Sequence, residues 1–178
     1  MRARMFLAVA AVVVLALAFS PCTTSLPPSP ASISVCFTPG QDCDDMLIQA
    51  LNAAQTSVYM AAYTLTSAPI ADALIAARQR GATVEVVLDR AQWRARRAQG
   101  HRLRKHGIGV RYDCEHQIMH NKYVIIDLQT TVTGSYNFTE AAQRRNGENL
   151  ICVRNQYIAQ KYADNWEWHW SHSVRVVE

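Results

Sequence analysis

His120, Lys122, Asp127, Ser135 and Asn137 bring five polar side chains, with Gly134 among them, into 18 consecutive positions. Those residue types suit one kind of chemistry. A neutral imidazole serves as nucleophile or base near neutral pH. A lysine ammonium and a side-chain amide bring charge and N–H donors to phosphate oxygens. A glycine lets a backbone or an anion come close. Phosphoryl transfer depends mainly on such positioning and charge stabilisation, which this set supplies without a metal. Glu148, further along, offers a carboxylate to the second imidazole nitrogen, as the third member of a triad does.

For these residues to meet, the chain must fold back on itself. Lys122–Ile126 reads as a strand, and its period of two puts His120 and Lys122 on one face. Asp127-Leu128-Gln129 reads as a turn and Thr130–Thr133 as the return strand. A pivot near Leu128 sets position 120 opposite about 136, and 122 opposite about 134. Ser135 and Asn137 then arrive beside His120.

The supporting elements follow from apolar periodicity. Strands are predicted at Ile33–Phe37, Ser57–Ala62, Thr83–Leu88, Ile108–Tyr112 and Asn149–Val153. Helices are predicted at Asp44–Gln55, Pro69–Arg80, Gln92–His106, Phe138–Arg145 and Asn155–Ser171. The alternation argues an α/β layered fold, with a mixed β-sheet flanked by helices. No internal repeat is visible.

The spacing His120-x-Lys122-x4-Asp127-x6-Gly134-Ser135-x-Asn137 resembles the HKD signature of the phospholipase D superfamily in every residue type. Met60-Ala61-Ala62-Tyr63, and Ala76–Gly81 ahead of a Val-rich strand, are similar to the small secreted single-motif members, the Nuc-type endonucleases. The resemblance runs from about Val35 to Trp170. It implies a phospholipase D-like fold with one HKD half per chain. In the family two motifs build one active site. One histidine attacks phosphorus and forms a phosphohistidine, the other protonates the leaving oxygen, and water hydrolyses the intermediate. With one motif in 178 residues, the resemblance implies a homodimer with His120 from each subunit, nucleophile in one and general acid in the other. It further implies that Lys122 and Asn137 bind the phosphate, that Ser135 assists and that Glu148 orients His120. Asp127 is expected to be structural, near the hairpin turn. No cofactor and no obligatory metal are implied.

Composition narrows the rest. With 49% hydrophobic and 18% charged residues, the chain is neither disordered nor collagen-like. Arg2 and Arg4, the apolar run Met5–Phe19 and small residues after it read as a signal peptide over 1–22, with the cleavage site open. The alternative is an uncleaved membrane anchor. A Pro/Ser-rich linker over 23–32 and a phosphodiesterase domain over 33–178 follow. Loss of the leader lowers the net charge from +4 to +2. Export, to periplasm or medium, permits disulfides. Of five cysteines, Cys36 and Cys43 enclose a short turn-rich loop suited to a local bridge.

Eight of the 18 cationic residues fall between Arg90 and Arg111 with no acid among them. Arg90, Arg94, Arg96, Arg97, Arg102, Arg104 and Lys105 are candidates for a phosphate-backbone track, against the alternative of a solvated helix face. His116 and His120 have the histidine spacing of H-E-x-x-H, but Gln117 replaces the general base and no third ligand is evident. Tyr162, Trp166 and Trp170 form one stripe of the last helix and suit core or interface packing. Trp168 and His169 fall off that stripe. The sequence therefore predicts an exported, homodimeric, metal-independent phosphodiesterase. A sequence-nonspecific endonuclease is favoured. A phospholipase D using the same residues is the alternative, and a nucleic-acid-binding protein without turnover the minor one.

Overall fold

A computed structural model of the protein describes residues 32–175. The predicted leader and nearly all of the predicted linker lie outside the described residues. Seven strands form one mixed sheet: β1 (Ser32–Thr38), β2 (Ser57–Ala62), β3 (Thr83–Asp89), β4 (Gly109–Asp113), β5 (Lys122–Ile126), β6 (Thr130–Gly134) and β7 (Glu148–Arg154). Their order is β1-β7-β6-β5-β2-β3-β4. β2, β3 and β4 run parallel, while β5, β6, β7 and β1 pair antiparallel. The predicted α/β layered fold with a mixed sheet is the fold observed, and each predicted strand is present within a residue or so of its expected bounds.

Helices α1 (Cys43–Asn52), α2 (Ala68–Gln79), α3 (Gly100–Lys105) and α4 (Glu140–Arg144) complete the chain with α5 (Gln156–His172). Each long helix starts where a side chain can satisfy free backbone N–H groups. The Asp42 carboxylate caps α1, the Ser67 hydroxyl caps α2 and the Asn155 side chain caps α5. The pleat of β5 explains why all five of its positions are buried. Val124 and Ile126 face a large core with Leu47, Leu51, Ile70 and Leu74 from α1 and α2. Tyr123 and Ile125 face a smaller core closed by α5. There Trp166 stacks between Tyr59 and Trp170, at 4.6 and 4.9 Å, and donates its indole N–H to the Met60 carbonyl at 2.9 Å. The aromatic stripe of α5 is thus packed in the core.

The predicted helix over Gln92–His106 divides. A 3-10 turn spans Arg90–Trp93, and α3 begins only at Gly100. Between them no apolar stripe holds a helix against the sheet, and Arg97 takes a left-handed φ of 68°. Gly100 is required where it stands, because a Cβ there would run into the Tyr112 hydroxyl and Leu88.

Two margins of the sheet differ. On the face that α5 covers elsewhere, β1 shows Ile33, Val35 and Phe37 to solvent, 60%, 54% and 55% exposed. Their partners in β7 are Val153, Ile151 and Asn149. At the other margin the chain leaving α5 returns to β4. Tyr112 and Val174 exchange both backbone hydrogen bonds there, at 2.9 and 3.0 Å.

Candidate active site

The β5–β6 hairpin has the predicted register: Tyr123 pairs with Thr133 and Val124 with Val132. The turn closes with the Gln129 N–H donating to the Ile126 carbonyl at 3.0 Å. Asp127 and Leu128 both sit at a left-handed φ of 53°, a conformation that side chains other than glycine, Asn and Asp seldom adopt. It is held in place from outside. The Asp127 carboxylate accepts the backbone N–H groups of Gln55, Thr56 and Ser57 at 2.8–2.9 Å and the Thr56 hydroxyl at 2.9 Å. Burial opposes ionisation of this carboxyl, but the N–H groups outweigh it and hold Asp127 below the ordinary carboxylate range. Asp127 therefore ties the hairpin to the loop before β2. It lies about 17 Å from Lys122, at the far end of a five-residue strand.

At the near end, Lys122 is only 7% exposed. Its Nζ donates to the His120 carbonyl at 2.7 Å and lies 5.2 Å from the Tyr63 ring centre. Burial pushes the ammonium below its usual range, while the nearby Glu148 charge pulls the other way. The exposed His120 ring stands edge-on to Tyr63 at 4.5 Å. Tyr63 is fixed by its own N–H, which donates to the Asn121 carbonyl at 2.8 Å. Sequence reading did not assign Tyr63 to the site. Its signal is its place one residue beyond β2, whose last residue, Ala62, pairs with Lys122.

The other arm arrives through β6 and β7. Gly134 crosses β7 so closely that a Cβ would penetrate the Asn149 carbonyl. Beyond it, the Ser135 hydroxyl donates to Glu148 Oε2 at 2.6 Å and accepts the Asn149 N–H at 3.0 Å. Tyr136 anchors the next turn, with its buried hydroxyl donating to Asp44 at 2.8 Å. The Phe138 N–H donates to the Thr64 carbonyl at 3.2 Å, so Asn137 sits beside the end of β2 that faces Lys122. Asn137 Oδ1 is buried and has no hydrogen-bond partner among the described residues.

His120, Lys122, Gly134, Ser135, Asn137 and Glu148 thus gather at one edge of the sheet. One expected contact is different. Glu148 spends its two carboxylate oxygens on Ser135 and Asn146, the latter at 3.0 Å, and no hydrogen bond joins it to His120 among the described residues. The reason is local: β7 begins at Glu148, next to the end of β6, where the Ser135 hydroxyl is nearer than the ring.

The cationic tract is divided by the same topology. β3 ends on this edge, since Leu88 pairs with Ala62. Arg90, Arg94, Arg96 and Arg97 follow it and are exposed. Arg102 instead pairs with Asp72 of α2, and Arg104 is half-buried on α3 while Lys105 is exposed there. Arg111 lies 4.2 Å over the Trp170 ring and donates to the Trp170 carbonyl at 2.7 Å. Cys36 and Cys43 form a disulfide between β1 and the start of α1. His169 is buried; its place off the aromatic stripe turns it towards Asp113.

Residues 47–170 match the family model described as cardiolipin synthase, PLD-like domain. The chain belongs to the phospholipase D superfamily. It is 40% identical over 135 residues to the phospholipase D of Rickettsia typhi, covering 76% of this chain and 66% of that one. It is 30% identical over 145 residues to the mitochondrial cardiolipin hydrolase of Mus musculus, covering 82% and 66%. The crystal structure of Nuc from Salmonella typhimurium, a phospholipase D family member, superposes with a TM-score of 0.79 at 32% identity, covering 83% of this chain and 99% of that one. This phospholipase D-superfamily chain spans about two thirds of the length of those two curated relatives. Family and fold together make it a phosphodiesterase with the seven-stranded Nuc architecture.

Proposed function

We propose that the protein is an exported, homodimeric endonuclease that cleaves phosphodiesters without a catalytic metal. The observation that carries the reading is the hairpin register, which gathers an exposed imidazole and a buried ammonium at one edge beside four exposed arginines. His120 attacks phosphorus and expels the leaving oxygen. The partner's His120 protonates that oxygen, and water then releases the phosphate from the imidazole. Lys122 and Asn137 hold the phosphate oxygens, with Ser135 beside them. Glu148 acts on Lys122 through its charge and orients Ser135.

The dimer is supported by the uncovered apolar strip on β1 and β7. Ile33, Val35, Phe37, Ile151 and Val153 share one face, which α5 does not cover. Glu148 of the site opens the same strand β7, one residue before Asn149, the partner of Phe37, so the strip reaches the site's end of the sheet. Export is supported by the apolar run Met5–Phe19 and by the Cys36–Cys43 disulfide.

Nucleic acid as substrate is supported by Arg90, Arg94, Arg96 and Arg97 at the site edge. Phospholipid is the second reading. Exposed Ile118 and Trp168, each 53% exposed, and the two relatives named for lipid hydrolysis favour it. No helix among the described residues is long and apolar enough to cross a membrane. The deciding experiment offers plasmid DNA and cardiolipin vesicles to the wild type and to His120→Ala, in brief EDTA, with the fold followed by circular dichroism. Nicking that survives EDTA and vanishes in the variant supports the nuclease. Lipid hydrolysis without nicking by folded protein overturns it in favour of the lipase.

A further inference from the structure

A second cluster lies on the same side of the sheet, where β3 and β4 end together, with Asp89 opposite Asp113. The Asp113 side chain is fully buried. Its Oδ2 is 2.9 Å from His116 Nδ1, 2.9 Å from His169 Nδ1 and 3.1 Å from His172 Nε2. The four atoms all lie within 4.8 Å of one another. Its other oxygen accepts the backbone N–H groups of Glu115 and His116, each at 3.1 Å, which fixes the carboxylate. Two short spacings build the cluster. Asp113-x-x-His116 follows β4, and His169-x-x-His172 puts two rings on one side of the last turn of α5.

Three imidazoles from two distant segments aimed at one carboxylate oxygen exceed what a hydrogen-bond network needs. A carboxylate oxygen has about two lone-pair sites, so two donors satisfy it and the third ring is surplus. The set is instead three nitrogens and one oxygen, the composition of a tetrahedral site for a borderline cation. In such a site, bonds of about 2.0–2.1 Å put neighbouring ligand atoms about 3.3 Å apart. The three nitrogen-to-oxygen spacings, 2.9–3.1 Å, are close to that value. The nitrogens need to close by no more than about 1.5 Å to complete the shell. Imidazole nitrogens disfavour magnesium and calcium, which take oxygen ligands.

The surroundings fit as well. His169 Nε2 lies 3.0 Å from Asn121 Nδ2. When Nδ1 binds a cation, Nε2 carries the proton, and the Asn121 amide turned over presents its oxygen to it. The Ser173 hydroxyl donates to the His169 carbonyl at 2.7 Å and holds the helix end.

We propose that Asp113, His116, His169 and His172 form a structural zinc site that fastens the end of α5 to the end of β4. The site does not include His120 and takes no part in phosphoryl transfer, so it does not rest on the nuclease reading. Through Asn121, the neighbour of His120, it steadies the start of β5.

The test uses tag-free full-length chain, stripped with a chelator and dialysed into metal-free buffer. Zinc chloride is added, and bound metal is measured by mass spectrometry beside the thermal midpoint. Cobalt(II) replaces zinc in a parallel titration, because tetrahedral cobalt has intense visible absorption. Saturation at one zinc per chain, a rise in midpoint and a tetrahedral cobalt spectrum are expected. His116→Ala and His172→Ala, both partly exposed positions, should each weaken binding by more than about tenfold and bleach the cobalt bands. Stoichiometric binding that persists in a folded His116→Ala/His172→Ala double variant would overturn the site. So would a wild-type midpoint unmoved by zinc. If the variants misfold, the wild-type cobalt spectrum decides, since an octahedral spectrum overturns the closed four-ligand site. None of these readouts depends on turnover.

Discussion

Replacing Asp127 by alanine separates the fold from the chemistry of the motif. The carboxylate accepts four hydrogen bonds, from three backbone N–H groups and one hydroxyl. A net contribution of about 0.5–1.5 kcal/mol each is usual. Gln55 and Thr56 are exposed, so water takes over at their N–H groups and the lower end applies there. Ser57, 8% exposed, has less access to water. Alanine at a left-handed φ of 53° adds about 1 kcal/mol of strain. The loss comes to about 3–5 kcal/mol, against a typical total of about 5–15 kcal/mol. The variant should still fold, with a thermal midpoint lower by about 6–20 °C. Urea midpoints measure the loss, and plasmid nicking per folded molecule measures the chemistry. Because the site is about 17 Å away, specific activity should be unchanged below the transition. The pH dependence has a defined sign. The folded carboxyl is held below its unfolded value, so its stabilisation is complete above an unfolded value of about 3.9 and fades as pH falls through the folded one. The gap between wild type and variant should therefore close in acid. A variant with the wild-type urea midpoint but no turnover would refute the structural assignment of Asp127.

His120→Ala should lower turnover by about 10⁴-fold or more with unchanged circular dichroism; residual activity near wild type would remove His120 as nucleophile. Val35→Asp places a charge in the proposed dimer strip and should weaken association by roughly a hundredfold or more. Sedimentation should then show monomer, with activity lost in proportion; a fully active monomer would end the shared-site reading. Gly134→Ala forces β6 away from the Asn149 carbonyl and should cost both stability and turnover, seen together in urea curves and nicking assays. Cys36→Ser with Cys43→Ser opens a loop with a sequence separation of 7 and should lower stability by about 2–3 kcal/mol, read from denaturant midpoints; no change would show that the bridge contributes nothing.

Much of the site was legible because one hairpin carries it. The pivot at Asp127-Leu128 sets every pairing from Tyr123 to Thr133, and so places His120 and Ser135 at the same end of the hairpin. What bonds Glu148 was not legible, because the nearer partner is a hydroxyl on a neighbouring strand whose distance sequence does not report. The helix over Gln92–His106 looked continuous because arginine, alanine and glutamine favour helix. The break lies before Gly100, where Arg97 takes a left-handed φ, and α3 resumes at a glycine whose need is set by Tyr112, a residue of a strand further along the chain. The histidine cluster joins Asp113 to His169 across 56 positions. Its signal was the repeated spacing of three residues, Asp113 to His116 and His169 to His172, and neither half suggests a ligand set without the other.

The return of the chain to β4 after α5 has a consequence for how copies can assemble. Tyr112 has its outward backbone groups occupied by Val174, so that margin does not offer them to a strand from another molecule. At the opposite margin Gln41 accepts the Phe37 N–H with its side chain and donates its own N–H to the Phe37 carbonyl. A strand from another molecule therefore meets occupied backbone groups at Tyr112 on one margin and at Phe37 on the other, and the segments that supply them work against fibre growth by strand addition.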